Sequence, residues 1–389
     1  MLFHSTAFAV FFIIVFILYI KLPHKLQNRM LLIASYIFYG AWEWKYLALL
    51  FISTLTDYFC GLGVEKSEDS LKKRFVYLSV FINLTLLGIF KYYGFFAENF
   101  QNLMASFGVE THPYFLNIAL PVGISFYTFQ SISYTVDVYR GKLKACNNFL
   151  DFSLYVSFFP QLVAGPIERG TRLLPQILNA RKITKENIIK GLYCIFWGLF
   201  LKVVIADNMA NLVDPIYDID KSPNGILTLL ATYSFAIQIY CDFSGYSLIA
   251  IGLALLMGIE LMENFRRPYF SLNISDFWRR WHISLSSWFR DYMFSPLYIY
   301  FQNSFFLKNK SIYLRHIIFF LLTLFATEFL LGLWHGAGWN YAFFGVYHAF
   351  LIGGYYLLKK YWDKLNKYIQ IFLTFNLVCV GWLIFRSES

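Results

Sequence analysis

Charged side chains are scarce in this sequence. Asp, Glu, Lys and Arg make up only 14% of its 389 residues, whereas they average about 25% in soluble domains. A soluble protein of this length would need a charged surface around its core, and this chain has too few charges to form one. Hydrophobic residues, at 58%, take their place. The composition therefore predicts a polytopic membrane protein.

Motifs for metals, disulfides and nucleotides are missing as well. The five cysteines are scattered and form no C-x-x-C pair, so neither a disulfide framework nor a zinc site is indicated. No acidic ligand lies between His335 and His348. The chain contains no P-loop, no G-x-G-x-x-G and no G-x-S-x-G. We expect no metal site and no permanently bound cofactor.

The net charge of +10 does not indicate a nucleic-acid-binding protein. The 33 Lys and Arg residues lie mainly in short runs between apolar stretches. That distribution is typical of the cytoplasmic loops of a membrane protein, whereas a nucleic-acid-binding surface needs a basic patch on one folded face. We therefore expect membrane lipids, and no nucleic acid, as partners.

Apolar runs divide the chain into candidate membrane segments. A helix needs about 20 residues to cross the hydrocarbon core, so the run 30–42 is short, and 225–259 is long enough for one broken helix or two tight ones. We predict an all-α, polytopic transmembrane helical bundle of about ten to twelve spans, in a single domain, 1–389. The runs are 6–20, 30–42, 46–63, 75–95, 114–137, 149–166, 187–205, 225–259, 316–334, 340–358 and 368–385.

The distribution of Lys and Arg among the loops predicts the orientation. Basic loops follow the first, third and fifth runs and precede the last, and the loops between them are acidic or neutral. The positive-inside rule then places the N-terminus outside and the basic loops in the cytoplasm. Segment 168–190 is also basic, so we predict that 149–166 is re-entrant and lines a cavity.

Aromatic residues recur with helical spacing in 275–292. At about 100° per residue they share one arc, and the charged residues occupy the other half. We predict an amphipathic helix at the membrane interface, capped by Ser275 or Asp276. His282 lies on its apolar side, either as a functional group or as an interfacial histidine at headgroup depth. The arc holds Phe277, Trp278, Trp281, Trp288, Phe289 and Tyr292, and the polar half holds Arg279, Arg280, Arg290 and Asp291.

Two further segments place polar side chains inside apolar runs. Glu328 and His335 are spaced to share one helix face, and a Gly-rich break follows His335. Such groups are costly at membrane depth unless they face a polar cavity, and an imidazole is the usual base for an alcohol. The alternatives are that His335 bonds a neighbouring helix and that Glu328 stays neutral. Asp242, which interrupts the run 225–259, either faces a cavity or caps a half-helix; His348 is interpreted as packing.

The order and spacing of several motifs resemble the membrane-bound O-acyltransferase (MBOAT) family. The alginate O-acetyltransferase (AlgI-like) branch is the closer match, and the teichoic-acid D-alanylation protein DltB is more distant. The resemblance runs through most of the chain. Its motifs lie at 120–126, 136–141, 159–161, 242–247, 263–265, 278–292 and 333–337.

This resemblance implies a helical bundle with a central funnel and a thin floor. His335 matches the catalytic histidine of the family, and His282 matches its second characteristic histidine. Such proteins take an acyl group from a cytoplasmic donor and pass it outward across the bacterial inner membrane, where a periplasmic acyltransferase partner places it on polysaccharide hydroxyls. For this chain the resemblance implies an acetyl group, acetyl-CoA as the donor, and an alginate-like polymer or peptidoglycan as the acceptor.

A mechanism follows from these assignments as a hypothesis. His335 deprotonates the acceptor hydroxyl, the Trp334 indole N–H stabilises the oxyanion, and His282 shapes or polarises the donor side. Arg279 and Arg280 meet the donor phosphates or bind lipid headgroups instead. Glu328 as the group that orients His335 is a geometric inference of our own. The remaining supporting candidates are Asp242 and Asp291.

Two other functions remain open from the sequence. A transporter of a lipid-linked sugar or acyl carrier would use broken helices, which are expected here, but paired inverted repeats are not evident. A non-catalytic scaffold for a periplasmic enzyme would not need both His282 and His335. We also expect the chain to be shortened at its C-terminus, because members of the family continue past the position of Arg386.

Overall fold

The computed structural model describes residues 1–111, 120–163, 165–217, 224–304 and 311–387. Regular structure within these ranges is helical and includes no β-strand, which confirms the all-α prediction. By contacts between Cα atoms the chain forms two compact units, Met1–Phe200 with Gly245–Met262, and Leu201–Ser244 with Glu263–Ser389. The single domain, 1–389, stays a prediction.

The helices of the described chain follow in sequence order. They are α1 Thr6–Lys21, α2 His24–Glu43, α3 Leu47–Lys66, α4 Asp69–Leu87, α5 Tyr93–Ser106, α6 Ile124–Tyr139, α7 Phe149–Ser157, α8 Phe159–Leu162, α9 Gly170–Leu178, α10 Lys185–Leu199, α11 Asp207–Tyr217, α12 Gly225–Leu256, α13 Ile274–Trp278, α14 Ile283–Phe289, α15 Ser295–Asn303, α16 Ile312–His335, α17 Trp339–Trp362 and α18 Lys367–Arg386. Short π-helical segments, Gly88–Tyr92, Phe200–Ala206 and Arg290–Phe294, join neighbouring α-helices.

Seven helical stretches of the described chain are long and apolar enough to cross a membrane. Helix α1 is apolar but has only 16 residues. The runs 30–42 and 46–63 lie in one continuous stretch, His24–Lys66, and the run 114–137 lies partly outside the described residues. The long stretches are His24–Lys66, Asp69–Ser106, Lys185–Tyr217, Gly225–Leu256, Ile312–His335, Trp339–Trp362 and Lys367–Arg386.

The segment 149–166 does not form a spanning helix. Helix α7 has nine residues and α8 has four, and the chain bends between them at Phe158. Neither helix reaches the length needed to cross the hydrocarbon core, as a re-entrant segment requires. Phe158 and Phe159 are both fully buried in the first unit, so protein covers this irregular backbone.

Helix α12 differs from its predicted form. It is continuous from Gly225 to Leu256, so Asp242 neither interrupts the apolar run nor caps a half-helix. Asp242 lies in mid-helix, and its carboxylate is 2.5 Å from the ammonium of Lys202. An acid that has an ion-pair partner does not need to leave the helix to find water, which explains why the prediction was wrong.

The single amphipathic helix predicted over 275–292 is also wrong. Helix α13 ends at Trp278 and α14 begins at Ile283, and His282 between them adopts a left-handed conformation with φ 43°. The cap of α13 is Asn273, whose side chain accepts a 2.8 Å hydrogen bond from the backbone N–H of Asp276. The tryptophans of this segment are buried in protein instead of lying at a membrane interface: Trp278, Trp281 and Trp288.

Backbone pairing explains the break. The N–H of Arg266 donates to the carbonyl of Arg280, and the N–H of Ile283 donates to the carbonyl of Asn264, both at 2.9 Å. These bonds use peptide groups that a continuous helix would need for its own ladder. The loop 264–266 therefore holds residues 280–283 out of helical conformation.

Small residues allow α16 and α17 to pack closely. A Cβ atom added at Gly332 would lie 3.0 Å from the Cα of Gly345, and one added at Gly345 would clash with the carbonyl oxygen of Glu328. Glycine at both positions lets the two backbones come together, as is common between membrane helices. The close pair ends at the turn 336–338, directly after His335.

Candidate active site

His335 is the last residue of α16, and Gly336 follows it at the end of the helix. Gly336 is extended, with φ −165° and ψ 158°. The imidazole packs edge-on against the rings of Trp334, Phe344 and Phe385, with centroids 4.9, 5.8 and 5.3 Å away. The predicted position at a helix break is confirmed. It places a basic nitrogen in an aromatic setting at the end of a membrane helix.

His282 is fully buried and is held by Asn264. Its Nδ1 lies 3.1 Å from the side-chain oxygen of Asn264, which also accepts hydrogen bonds from the backbone N–H and the hydroxyl of Ser284, at 3.2 and 2.9 Å. The ring of Phe243 stands edge-on to the imidazole at 4.6 Å. Burial, together with the neighbouring His335, holds the pKa of His282 well below its usual range.

Trp334 joins the two histidines into one cluster. Its ring centroid lies 5.9 Å from that of His282 and 4.9 Å from that of His335. The two histidines that the sequence singled out, 53 positions apart in the chain, therefore both contact one indole ring. We call Trp334, His282 and His335 the histidine cluster.

A cavity of about 280 Å³ lies beside α13, α14 and α16. Glu328 and Thr327 line it from α16, and Arg279 and Arg290 line it from the other side. The carboxyl of Glu328 forms no hydrogen bond or ion pair with any described residue, and so the inferred bond from Glu328 to His335 is not seen. Glu328 belongs to this cavity instead of to the histidine cluster.

Three other sequence candidates are engaged in ion pairs elsewhere. Arg280 binds Asp276 at 3.0 Å, and it does not line the cavity that Arg279 enters. Asp291 binds Arg290 at 2.8 Å. Asp242 is paired with Lys202, which also lies 2.8 Å from Asp207. Asp291 does not line the cavity itself, but it is paired with Arg290, which does.

A second cavity, of about 530 Å³, lies beyond Phe385. Phe385 contacts the ring of His335 and lines this cavity as well. Its polar lining includes Gln238, Asn340 and the ion pair of Arg386 with Asp214, whose charged atoms are 3.3 Å apart. The side-chain oxygen of Gln238 accepts no hydrogen bond from any described residue. This space can therefore receive a hydrogen-bonding ligand.

Sequence reasoning missed four residues of this region. Asn264, Arg290, Phe243 and Phe385 were not singled out as site residues, although Asn264 lies in a motif used for the family resemblance. Phe243 also lies in such a motif, at 242–247, whereas Phe385 carried no signal, because a phenylalanine in an apolar run is normally packing. Arg290 lies with Arg279 on the polar half of the predicted helix, and the two arginines line the same cavity. His348 was interpreted as packing, and its Nδ1 accepts a 3.2 Å hydrogen bond from the indole of Trp278.

Comparison with known proteins identifies the family. The model of MBOAT, the membrane-bound O-acyltransferase family, matches residues 142–386. The chain belongs to the MBOAT family. It is 40% identical to the probable alginate O-acetylase AlgI of Pseudomonas putida, over all of this chain and 78% of that protein. It is 36% identical to the peptidoglycan O-acetyltransferase of Helicobacter pylori, over 92% of this chain and 71% of that protein.

A more distant similarity connects the chain to D-alanylation. It is 33% identical to the teichoic acid D-alanyltransferase of Bacillus subtilis, over 70% of each protein. Membership of the MBOAT family makes the chain a multi-pass membrane protein and an O-acyltransferase. The expected resemblance to the alginate branch, and more distantly to the D-alanylation branch, is confirmed.

The site contains no cluster suited to a metal. No group of three or more His, Cys, Asp or Glu that could hold an ion occurs among the residues for which the structure is described. The cluster can instead perform acid–base chemistry on a substrate, because it combines two imidazoles with an indole N–H.

Proposed function

We propose that this MBOAT protein takes an acetyl group from cytoplasmic acetyl-CoA and passes it across the bacterial inner membrane for O-acetylation of an extracytoplasmic polysaccharide. The names of its relatives suggest two acceptor classes, alginate-like exopolysaccharide and peptidoglycan. A periplasmic acyltransferase partner places the group on the polymer. The N-terminus lies outside the cytoplasm in this scheme, because the basic loops face inward.

One observation carries the proposal. The histidine cluster is connected to two cavities: Trp334 and His335 end α16, whose earlier turns line the first cavity, and Phe385, which contacts the ring of His335, lines the second. A transferase for two substrates needs a basic group that both can approach. His335 meets this need, since the cavity at Glu328 and the cavity at Gln238 border elements that contact it.

The reaction is written as an acyl transfer. His335 accepts the proton of the acceptor hydroxyl, and the oxygen of that hydroxyl attacks the acetyl carbonyl carbon. The C–S bond of the thioester then breaks, and His335 returns the proton to the departing thiolate. One thioester and one alcohol become one ester and one thiol. The indole N–H of Trp334 is the nearest candidate to bond the oxyanion of the tetrahedral intermediate.

Charge in the first cavity supports it as the donor site. Arg279 and Arg290 line it, and both side chains are exposed, so each can pair with a phosphate arriving from the cytoplasm. Ser286 and Ser287 on α14 and Thr327 on α16 add hydroxyl groups to the lining. The arginines match the phosphates of a coenzyme A thioester, and the hydroxyl groups match its amides.

The decisive experiment measures base-labile acetate in separated envelope fractions of the native strain. The fractions are secreted polysaccharide, peptidoglycan and teichoic-type polymer, and the comparison strains are a deletion and the deletion complemented with His335→Ala. We expect one fraction to lose acetate in both, which would identify the acceptor and show that His335 is essential.

Restoration by the variant would contradict the mechanism. If the deletion loses acetate and His335→Ala restores it at the wild-type level, the protein acts as a scaffold or a carrier. Immunoblotting of the variant in the membrane fraction controls for its abundance, and complementation with the wild-type gene controls for polar effects of the deletion.

A further inference from the structure

Asn264 contacts the His282 segment through both its main chain and its side chain. Its backbone carbonyl accepts the N–H of Ile283 at 2.9 Å. Its side-chain oxygen contacts the Nδ1 of His282 at 3.1 Å and the backbone N–H of Ser284 at 3.2 Å. One buried residue therefore fixes three consecutive residues of the catalytic segment, and none of its contacts was part of the expected mechanism.

These contacts determine which ring nitrogen of His282 carries the proton. The backbone N–H of Ser284 can only donate, so the Asn264 atom that meets it is the carbonyl oxygen and not the amide nitrogen. That oxygen can only accept, and consequently the Nδ1 that contacts it must carry a hydrogen. In a neutral imidazole the other nitrogen, Nε2, then carries the lone pair.

The backbone of His282 gives independent support. Its φ of 43° is one of only two positive values among the non-glycine residues that the structure describes. This conformation costs free energy and persists only where its surroundings impose it, and such positions concentrate at functional sites. Here the hydrogen bond from Ile283 to Asn264 imposes it. The same residue thus sets both the direction of the side chain and its protonation pattern.

We propose that Asn264 is a positioning residue that holds His282 as the neutral Nδ1–H tautomer, so that Nε2 accepts a proton or hydrogen bond during acyl transfer. The inference rests on the proposed function and changes one part of the mechanism. A nitrogen without hydrogen cannot donate to the thioester carbonyl, so His282 does not polarise the donor. It accepts from a substrate N–H, O–H or S–H group instead.

Charged and titratable groups lie on three elements packed against His282. His335 on α16 is the histidine whose charge would oppose that of His282. On α12, Asp242 is paired with Lys202, and on the loop that carries Asn264, Glu263 is paired with Arg266 at 2.7 Å. The groups that contact Nδ1 directly are the neutral amide of Asn264, at 3.1 Å, and the hydroxyl of Ser284, at 3.3 Å, and neither provides a charge to stabilise an imidazolium.

The direct test observes the tautomer itself. Nitrogen NMR of the whole protein, purified in detergent and labelled with ¹⁵N-histidine, distinguishes a ring nitrogen that carries hydrogen from one that does not. The His282 signals are those that disappear in His282→Gln. We expect a protonated Nδ1 and an unprotonated Nε2 from pH 5.5 to pH 8. A protonated Nε2 at neutral pH would overturn the proposal, whatever the reaction of the protein proves to be.

A second test uses activity and separates positioning from mere structure. Asn264→Asp keeps an acceptor for Nδ1 and for Ser284 but adds a negative charge, which favours the imidazolium. We expect acetyl transfer from acetyl-CoA in isolated membranes to fall about 10-fold at pH 6.5 and to recover to within about 3-fold of wild type at pH 8.5. Asn264→Ala should lose activity equally at both pH values.

The outcomes distinguish the alternatives. Equal losses in Asn264→Asp and Asn264→Ala at every pH would indicate a structural role alone and would overturn the proposal. Higher activity of Asn264→Asp at low pH would show that His282 works as a cationic donor, which also overturns it. Ser284→Ala serves as a charge control, because it removes the hydroxyl that contacts both Asn264 and Nδ1 of His282 without changing the charge, and the pH dependence should stay as in wild type. If wild-type membranes show no transfer that depends on His335, the proposed function fails, while the NMR result still decides the tautomer.

Discussion

At the residue scale, Trp334 combines two properties that one substitution can separate. Its ring contacts both His282 and His335, and its N–H is the candidate oxyanion donor. Trp334→Phe retains an aromatic ring in the cluster and removes the N–H. Since loss of one oxyanion donor typically costs about 10²-fold in turnover, we expect a decrease of that order in kcat. The measurement is acetyl transfer in isolated membranes at saturating donor.

The control for this substitution is Trp382→Phe. Trp382 is also buried, and it stacks on Phe344, which contacts the ring of His335. It makes no direct ring contact with either histidine of the cluster among the described contacts. Its variant should keep kcat within about 3-fold of wild type. Equal losses in the two variants would mean that ring packing, and not the N–H of Trp334, supports turnover.

A second residue-scale prediction compares Arg290 with Arg280. Arg290 lines the first cavity, whereas Arg280 is occupied by Asp276 outside it. If the cavity binds donor phosphates, Arg290→Ala removes a charge-assisted contact worth about 1.5–3 kcal/mol, which is at least about 10-fold in KM for acetyl-CoA. Arg280→Ala should leave that KM within about 2-fold.

The same kinetic measurements also test whether Glu328 orients His335. Glu328 lies in the same cavity as Arg290 and makes no contact with His335 that would orient it. We therefore expect Glu328→Gln to keep kcat within about 3-fold, in contrast to His335→Ala. Steady-state kinetics with varied acetyl-CoA would measure kcat for Glu328→Gln and KM for Arg290→Ala. An unchanged KM in Arg290→Ala would exclude this cavity as the donor site.

At the element scale, the histidine cluster depends on how closely α16 approaches α17. A methyl group at Gly345 would meet the backbone carbonyl of Glu328, which cannot move without shifting α16. Gly345→Ala should therefore lower the thermal midpoint in detergent by several degrees, since overpacking costs about 1–3 kcal/mol. It should also reduce activity, because His335 lies at the end of the displaced helix.

Gly354 provides the matched control on the same helix. A Cβ atom at this position meets no atom within 4 Å. Gly354→Ala should thus keep activity and raise the midpoint slightly, because alanine favours the helix by about 0.5–1 kcal/mol over glycine. If both variants behave alike, close packing of α16 on α17 does not position His335.

Prediction from the sequence succeeded for the long apolar helices and failed for the break between α13 and α14. Apolar runs mark membrane helices because each must satisfy its own backbone in lipid, so α16, α17 and α18 begin and end within a few residues of the predicted runs. The break at residues 279–282 was missed, because it depends on backbone bonds from Asn264 and Arg266. Helical periodicity cannot reveal a partner that lies elsewhere in the chain.

At the scale of the whole molecule, composition was sufficient to predict the class, and motif order was sufficient to predict the family. Neither composition nor motif order could show which cavity Glu328 lines, because two residues on one helix face can still border different cavities. His335 ends α16, whereas Glu328 lies two turns earlier, facing Arg279 and Arg290 across the first cavity. Spacing along a helix predicts which residues share a face, but the neighbouring elements determine which side chains or cavities that face contacts.

Global stability should depend on pH through Glu168, in the first unit. Its side chain is fully buried, and it accepts a hydrogen bond from the backbone N–H of Met262. Burial raises its pKa from 4.5 to about 7, against the opposing influence of that hydrogen bond and of Arg172. A raised pKa means that the folded state favours the protonated acid. Stability from this group is therefore complete below pH 4.5 and is lost as the pH rises through 7.

We accordingly expect the thermal midpoint of the purified protein to fall between pH 5 and pH 8, with at most about 3 kcal/mol involved. Glu168→Gln, which cannot ionise, should flatten this slope and be relatively more stable at pH 8. Glu260→Gln removes an exposed carboxyl from the same region and should leave the slope as in wild type. A midpoint that rises with pH in wild type, and that loses this rise in Glu168→Gln, would contradict the prediction and mean that the carboxylate, held by Met262 and the nearby arginines, is the form that stabilises the fold.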